Sequence, residues 1–368
     1  MRLASFNVEN LFNRASVMNL DDWNEGRPVL DAVATLTDLL EQPVYSAADK
    51  TRIITLLTTL GLSASDTGPY VILRRNRGSL VARRNSGLEV VADGRDDWIG
   101  WVELRKAAVN ETAMLNTGRV IRDMDADILA VVEAEDRIAL SHFSTQVLGA
   151  VGGAPYPNIM LIDGNDARGI DVGLMTKAGY DIGAMRSHVA DGGPDAPIFS
   201  RDCPEYAVTT PGGEVIWVLV NHFKSKGFGN PADNNRRRRA QAQAVAGYVA
   251  RLQAEGFANI TVMGDLNDTP DSAPLAPLFQ AGLRDVSEHP TFDTGAFAGQ
   301  GTYALGNDDD KIDYILLTQP LFDRITGAGL FRMGAWPGSR PKRWPVYPEL
   351  QRKIHAASDH HAIWVDIA

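Results

Sequence analysis

Ile260-Thr261-Val262-Met263-Gly264-Asp265-Leu266-Asn267 decides the reading of this chain. The apolar run Ile260–Gly264 reads as a buried strand, and it ends in Asp265-Leu266-Asn267. The same grammar recurs along the chain. Leu3–Val8 contains Asn7 and runs into Glu9. Ile128–Val132 ends at Glu133, and Val215–Val220 ends at Asn221-His222. Asp313 lies between Ile312 and Tyr314 in the apolar strand Lys311–Leu317. Ser358-Asp359-His360-His361 precedes a last strand, His361–Ile367. Buried strands of layered α/β folds place ligand groups at their ends, so these side chains are positioned to converge on one site.

Between these strands the spacing predicts helices over 108–124, 137–149 and 236–255. Further strands are expected at Asn158–Ile162, Ile170–Thr176 and Tyr206–Thr209, with a turn at Pro211-Gly212-Gly213. Helices and strands interleave without a composition break. The expectation is a single α/β domain over 1–368, carrying an insertion at about 14–106. Within that insertion, residues 28–61 have helical spacing and Gly61 stands where a helix-ending glycine belongs. Two hairpins are expected to follow: Val71–Arg75 with Ser79–Arg83, and Leu88–Val91 with Trp98–Leu104.

Composition narrows the class. With 44% hydrophobic and 22% charged residues, the chain is neither disordered nor collagenous. Its lone cysteine, Cys203, excludes an intrachain disulfide. Net charge is −10, from 36 Lys+Arg against 46 Asp+Glu, which excludes a uniformly basic nucleic-acid coat but not a local basic groove. No segment approaches the roughly 20 apolar residues of a membrane span, and the first residues lack the apolar stretch of a secretory signal. The expectation is a cytoplasmic protein with no membrane partner.

The strand-end groups are rich in hard oxygen donors, with histidines beside them. Such donors suit Mg²⁺ or Mn²⁺. A divalent cation, carboxylates and imidazoles together are equipment for phosphoryl transfer to water. Singly, each has a plainer reading, since carboxylates at strand ends also cap turns or face water. Asp313 needs a partner if buried, either a histidine or a Lys/Arg. Zinc at His360-His361 lacks any supporting cysteine or HxxxH spacing.

Six ordered fragments resemble the endonuclease/exonuclease/phosphatase superfamily, the fold of deoxyribonuclease I and exonuclease III. They are Ser5-Phe6-Asn7-Val8-Glu9-Asn10, Ala126–Glu133, Asn221-His222-Phe223-Lys224-Ser225-Lys226, Met263–Pro270, Lys311–Leu316 and Ser358-Asp359-His360. The resemblance covers residues 1–13 and about 107–368. It implies a four-layered α/β/β/α sandwich of two mixed sheets with the site at one edge. It implies that Glu133 is the principal metal ligand, that Asp359 joins it, and that Asn7 contacts metal or phosphate. Asp265 is then the water-activating base and Asn267 positions water or phosphate. His360 contacts the scissile phosphate, Asp313 orients His360, and His222 is a second phosphate-contacting imidazole. Arg168 and Asp171 match a family segment that contributes a phosphate-side contact, with a turn salt bridge as the alternative.

Basic segments bear on the substrate. Lys224 and Lys226 follow His222 and are candidate phosphate or substrate contacts. Arg236-Arg237-Arg238-Arg239 opens a helix against its macrodipole, at a cost of about 0.3–1 kcal/mol per charge, which calls for acidic side chains or phosphate nearby. Arg74, Arg75, Arg77, Arg83 and Arg84 cluster in the insertion. Lys342, Arg343, Arg352 and Lys353 are interleaved with Trp344 and Tyr347, a composition that either follows a phosphate backbone and stacks on bases or anchors a surface loop. The leading expectation is a metal-dependent phosphodiester hydrolase, a nuclease with DNA or RNA as substrate. The alternative is a phosphoesterase for small sugar, inositol or lipid-headgroup substrates. A non-catalytic binding module is the minor reading, because a degenerate member should lack the base or metal carboxylate and both are present. No motif identifies a protein partner or assigns the insertion a role.

Overall fold

The computed structural model describes residues 1–20, 23–166, 168–193, 196–227 and 230–368. The chain divides into two compact units. The larger comprises Met1–Phe12, Val109–Lys226 and Pro231–Ala368, and the smaller comprises Asn13–Ala108 with Gly227–Asn230.

Two mixed sheets build the larger unit. The seven-stranded sheet runs in the order Phe292–Asp293, Ile325–Phe331, Ala362–Ile367, Arg2–Asn7, Ile128–Ala134, Asp171–Thr176, Asn158–Leu161. The six-stranded sheet runs Asp181–Arg186, Glu205–Thr209, Val215–His222, Ile260–Asp265, Asp313–Leu317, Arg284–Asp285. Alternate residues of each strand serve different cores, as the two-residue period dictates. Leu3, Ile128, Ala130 and Val132 meet Val218, Val220, Met263 and Ile315 in a core between the sheets. Ala4, Phe6, Leu129 and Val131 face outward onto Val120, Ile121 and Met124 of the Glu111–Met124 helix. On the far side, Leu219, Val262 and Leu316 pack on Ala242, Val245, Val249 and Leu252 of the Pro231–Ala254 helix. The layers are therefore helix, sheet, sheet, helix. Strands covered on both faces read as continuous apolar runs, which is why the sequence betrays them.

Strands without a continuous apolar run escape sequence reading. Asp181–Arg186 is an exposed edge strand, and Ile325–Phe331 is interrupted by Gly327 and Gly329. Gly329 is required by close approach: a Cβ there would lie 2.4 Å from the Asp293 carbonyl oxygen of the neighbouring strand.

The smaller unit has its own core, including Leu36, Leu40, Ile53, Leu57, Leu73 and Trp98. The helical stretch expected over 28–61 is two helices, Trp23–Leu40 and Ala47–Thr59. The second starts afresh with a capping box, in which Ser46 and Asp49 satisfy each other's backbone N–H. Gly61 ends it at φ 74°. The two expected hairpins do not form. Val71–Arg77 pairs with Ile99–Leu104, and Val81–Arg84 pairs with Gly87–Val90 inside that loop. Nested pairing buries Val71, Leu73, Val81 and Val90 in one core, and a bulge between Arg75 and Arg77 adjusts the outer register. The arginines here are largely compensated. Arg74 bonds Glu103 at 2.7 Å, Arg83 bonds Asp66 at 2.8 Å and Arg84 bonds Glu89 at 2.8 Å.

Gly264 sets the course of the strand that carries Asp265. Its φ is 130°, and a Cβ would fall 2.0 Å from the Asn221 carbonyl oxygen. Gly264→Ala should destabilise the protein by roughly 3 kcal/mol or more, from backbone strain and overpacking together. A thermal melt by circular dichroism checks this, and a midpoint equal to that of the parent would refute it.

Candidate active site

Strand pairing alone gathers the strand-end residues. Arg2–Asn7 runs parallel to Ile128–Ala134, which sets Asn7 opposite Val132 and beside Glu133. Val215–His222 runs parallel to Ile260–Asp265, which sets His222 opposite Asp265. Asp313–Leu317 enters antiparallel and places Asp313 opposite Asp265. Ala362–Ile367 lies antiparallel to Arg2–Asn7, so the residues just before it, Asp359 and His360, arrive beside Asn7. Glu9, Asn10, Glu133 and Asn267 all adopt left-handed backbone, with φ between 51° and 65°. Non-glycine residues rarely do so, and their concentration at one edge marks a functional locus.

One bond organises the cluster: His360 Nδ1 to Asp313 Oδ2 at 2.8 Å. It directs His360 Nε2 toward Asn7 Nδ2 at 3.4 Å, Asp359 Oδ1 at 3.8 Å and Asp265 Oδ2 at 3.9 Å. Asp313 is itself held by the strand register, and its backbone N–H donates to Thr302 Oγ1 at 2.9 Å. Asp265 accepts from the Asn267 N–H at 2.8 Å and from Asn267 Nδ2 at 3.0 Å, with Asn7 Nδ2 at 3.4 Å. The Asn7 amide is oriented by Glu9 N–H, which donates to its Oδ1 at 3.1 Å. His222 Nε2 stands 3.6 Å from both Glu133 Oε1 and Asp265 Oδ2, too far for a direct hydrogen bond to either.

The two histidines are in opposite electrostatic settings. Burial disfavours charge on His360, but Asp313, Asp359 and Asp265 outweigh it and hold its pKa well above the ordinary value. Burial, then the Arg201 and Arg168 guanidiniums, push His222 well below. Near neutrality His360 is an imidazolium and His222 a neutral imidazole. Burial and the facing Asp313 push Asp265 up to about 8, despite the opposing pull of His360.

Asp265, Asp313 and Asp359 thus meet at one edge against the imidazolium of His360, and Glu133 stands beside His222. The rise at Asp265 is the electrostatic mark of a carboxylate group short of positive charge. Oxygen donors in that state fit a hard divalent cation. Asp265, Asp313 and His360 offer ligand atoms within 4.8 Å of one another. Asp313 and His360 Nδ1 are already committed to each other, and the Glu133 and Asp359 carboxylates flank that trio, Glu133 at 3.6 Å from His222 Nε2 and Asp359 at 3.8 Å from His360 Nε2.

Other expected contacts are placed as follows. Arg168 bonds Asp166 through Nε at 2.9 Å and Nη2 at 2.7 Å, which is the turn salt bridge, while its charge also acts on Glu133. Asp171 accepts from Gly164 N–H at 2.8 Å, and burial pushes its pKa to about 6. Lys224 is pushed down to about 8 by burial and by Arg168 and Arg201. Lys226 Nζ lies 2.5 Å from Asp268. The helix begins at Pro231, five residues before the expected start, so Arg236–Arg239 lie in its second and third turns and do not open it; Arg238 is buried against the same Asp268 at 3.0 Å. Trp344 and Tyr347 are buried, bonded to the Ala335 carbonyl and to Asp123. They anchor a loop and present no ring face for stacking on bases, which corrects that part of the nucleic-acid reading.

Sequence reading misses Thr302, Tyr303, Asp166 and Arg201. Tyr303 packs edge-on against His360, with ring centroids 5.0 Å apart. None of the four ends an apolar strand, so no local pattern singles them out.

No helix among the described residues is long and apolar enough to cross a membrane. A search of curated proteins finds no significant match. Solved structures that match include a mannosyl-6-phosphatase from Bacteroides thetaiotaomicron VPI-5482, at 15% identity over 70% of this chain and 91% of that one, with a TM-score of 0.49. Truncated TDP2 from Caenorhabditis elegans matches at 16% identity over 69% and 89%, with a TM-score of 0.44. The human Nocturnin catalytic domain with bound sulfate anion matches at 13% identity over 71% and 88%, with a TM-score of 0.47. A model of the Endonuclease/Exonuclease/phosphatase family matches residues 96–327, well over half of the chain. Asn7, Asp359 and His360 lie outside that span and reach the cluster through strand pairing. The chain belongs to the endonuclease/exonuclease/phosphatase family.

Proposed function

We propose that this chain is a divalent-cation-dependent phosphoester hydrolase in which Asp265 activates the attacking water. The observation that carries this reading is the Asp313–His360 bond at 2.8 Å, which aims a cationic imidazole at the same space that Asp265 and Asn7 face. Glu133, Asp359 and Asn7 would hold Mg²⁺ or Mn²⁺. A bound divalent cation supplies charge stabilisation to phosphate oxygens and the leaving group. Asp265, kept in place by both Asn267 donors, takes the proton as the water oxygen bonds to phosphorus and the phosphorus–leaving-group bond breaks. Its raised pKa gives it proton affinity, and it acts in its ionised form, which a bound cation would favour. His360 donates from Nε2 to a phosphate oxygen, and Asp313 keeps it protonated. His222 contacts the phosphate as a neutral donor.

A small phosphoester is favoured over a nucleic-acid strand. A phosphate track needs uncompensated cations and open aromatic faces. Here Arg74, Arg83, Arg84, Arg238 and Lys226 are engaged by internal carboxylates, and Trp344 and Tyr347 are buried. Purified protein with Mg²⁺ or Mn²⁺ should hydrolyse members of a panel of sugar, inositol and aryl phosphoesters, and chelation should stop it. Asp265→Asn and His360→Ala should each cut kcat by roughly 10²–10⁴-fold without loss of fold. No turnover across the panel, or full activity in both variants, would sink the proposal. Oligonucleotide cleavage that outpaces every small ester would return the nuclease reading to first place.

A second consequence concerns stability without metal. A carboxyl whose folded pKa is raised loses stability as pH climbs from its ordinary value, near 4, through the folded value of about 8. Asp265→Asn removes that penalty. The metal-free variant should melt higher than the parent at pH 8, and the gap should shrink as pH falls toward 5. A gap that is absent, or that widens in acid, contradicts the assigned cause.

A further inference from the structure

Asp166 lies between two guanidinium groups. Arg168 grips it with two bonds of 2.9 and 2.7 Å, and Arg201 Nε approaches the same Oδ2 at 3.1 Å. The Arg201 side chain is almost wholly buried at 2% exposure, whereas Arg168 keeps 23% and is the member that reaches solvent. Gly164 packs so tightly on this segment that a Cβ there would lie 2.7 Å from Arg201 Cα. At its other end, Arg201 Nη1 donates to the Phe223 carbonyl at 3.4 Å. That carbonyl also accepts from Asn267 Nδ2 at 3.2 Å, so Arg201 links the Arg168 side of the cluster to the residue that holds Asp265.

A bidentate Arg168–Asp166 pair closes its turn without help. A second buried arginine on the same carboxylate costs desolvation and leaves the trio one positive charge in excess. Arg201 shares the Phe223 carbonyl with Asn267, and His222, the residue before Phe223, pairs opposite Asp265, so that excess lies beside the proposed reaction centre. An arginine fork held by a shared carboxylate matches phosphate oxygens in shape and charge.

We propose that Arg201 is a positioning residue: through Asp166 it fixes the Arg168 guanidinium beside Glu133, where Arg168 takes a non-bridging oxygen of the substrate phosphate. This rests on the phosphoester-hydrolase reading for its purpose, but its test reads binding rather than turnover. Inorganic phosphate is titrated calorimetrically into the full chain with Mg²⁺ present. Arg168→Ala should weaken phosphate by about tenfold or more, the scale of one lost charge-assisted hydrogen bond. Arg201→Lys, which keeps the buried charge but not the fork, should weaken it to a similar extent. The double variant should be no worse than Arg168→Ala alone, because both act through one contact. In turnover of an aryl phosphate, KM should rise more than kcat falls. A folded Arg201→Lys protein with parental phosphate affinity overturns the proposal. So does a loss that adds in full to that of Arg168→Ala, or a parent chain that binds no phosphate. Should Arg201→Lys fail to fold, Asp166→Asn takes its place in the same titration: weakened phosphate binding is expected, and parental affinity overturns the proposal. Phosphate binding with the expected coupling but no hydrolysis of any ester would sink the enzymatic reading and leave this assignment standing.

Discussion

Asp265 and Asp313 stand directly opposite each other across an antiparallel strand pair, both buried. Like charges in that position repel, and burial strengthens the repulsion. The rest of the site is the set of arrangements that makes this juxtaposition tolerable. Asp313 is answered by His360 at 2.8 Å and by a strand entry pinned on Thr302. Asp265 is answered by donors from Asn267 and Asn7, yet burial, and then the facing Asp313, still leave its pKa near 8. Gly264 is part of the same solution, because only a residue without a side chain lets that strand end pass the Asn221 carbonyl.

Most of the layered fold is legible in the sequence because its central strands are buried on both faces. Ile128–Ala134 and Ile260–Asp265 carry continuous apolar runs, and each ends in the polar residue that matters. Legibility fails where pairing is set at long range. Val71–Arg77 could close on its near neighbour by turn chemistry alone, yet it pairs with Ile99–Leu104 because that register buries Val71 and Leu73 together. Asp181–Arg186 gives no signal because an exposed edge strand needs no apolar alternation.

The site divides the same way. Residues at strand ends can be named from sequence since their position in the fold follows from the strand. Thr302, Tyr303 and Arg201 cannot, because their place comes from segments that cross strand ends without regular structure. Charge misleads for a related reason. Arg74 is available to an outside anion only if Glu103 on the paired strand does not answer it, and Arg238 only if Asp268 does not; both are answered. A run of arginines states a demand for anions, and only the tertiary structure says whether the protein has already met it.

What remains after this internal cancellation is a bipolar cluster. Asp265, Asp313 and Asp359 make one side short of positive charge, while Arg168 and Arg201 crowd the other, where Glu133 lies, enough to depress both Lys224 and His222. Two histidines are kept in different protonation states by these two surroundings, although both are buried. Burial alone would make both neutral. Only the carboxylates facing His360 reverse it there, and the guanidiniums near His222 reinforce it. Such a split suits a group that carries negative oxygens on one side and receives a proton-bearing nucleophile on the other, which is the charge pattern of a phosphoester under attack by water.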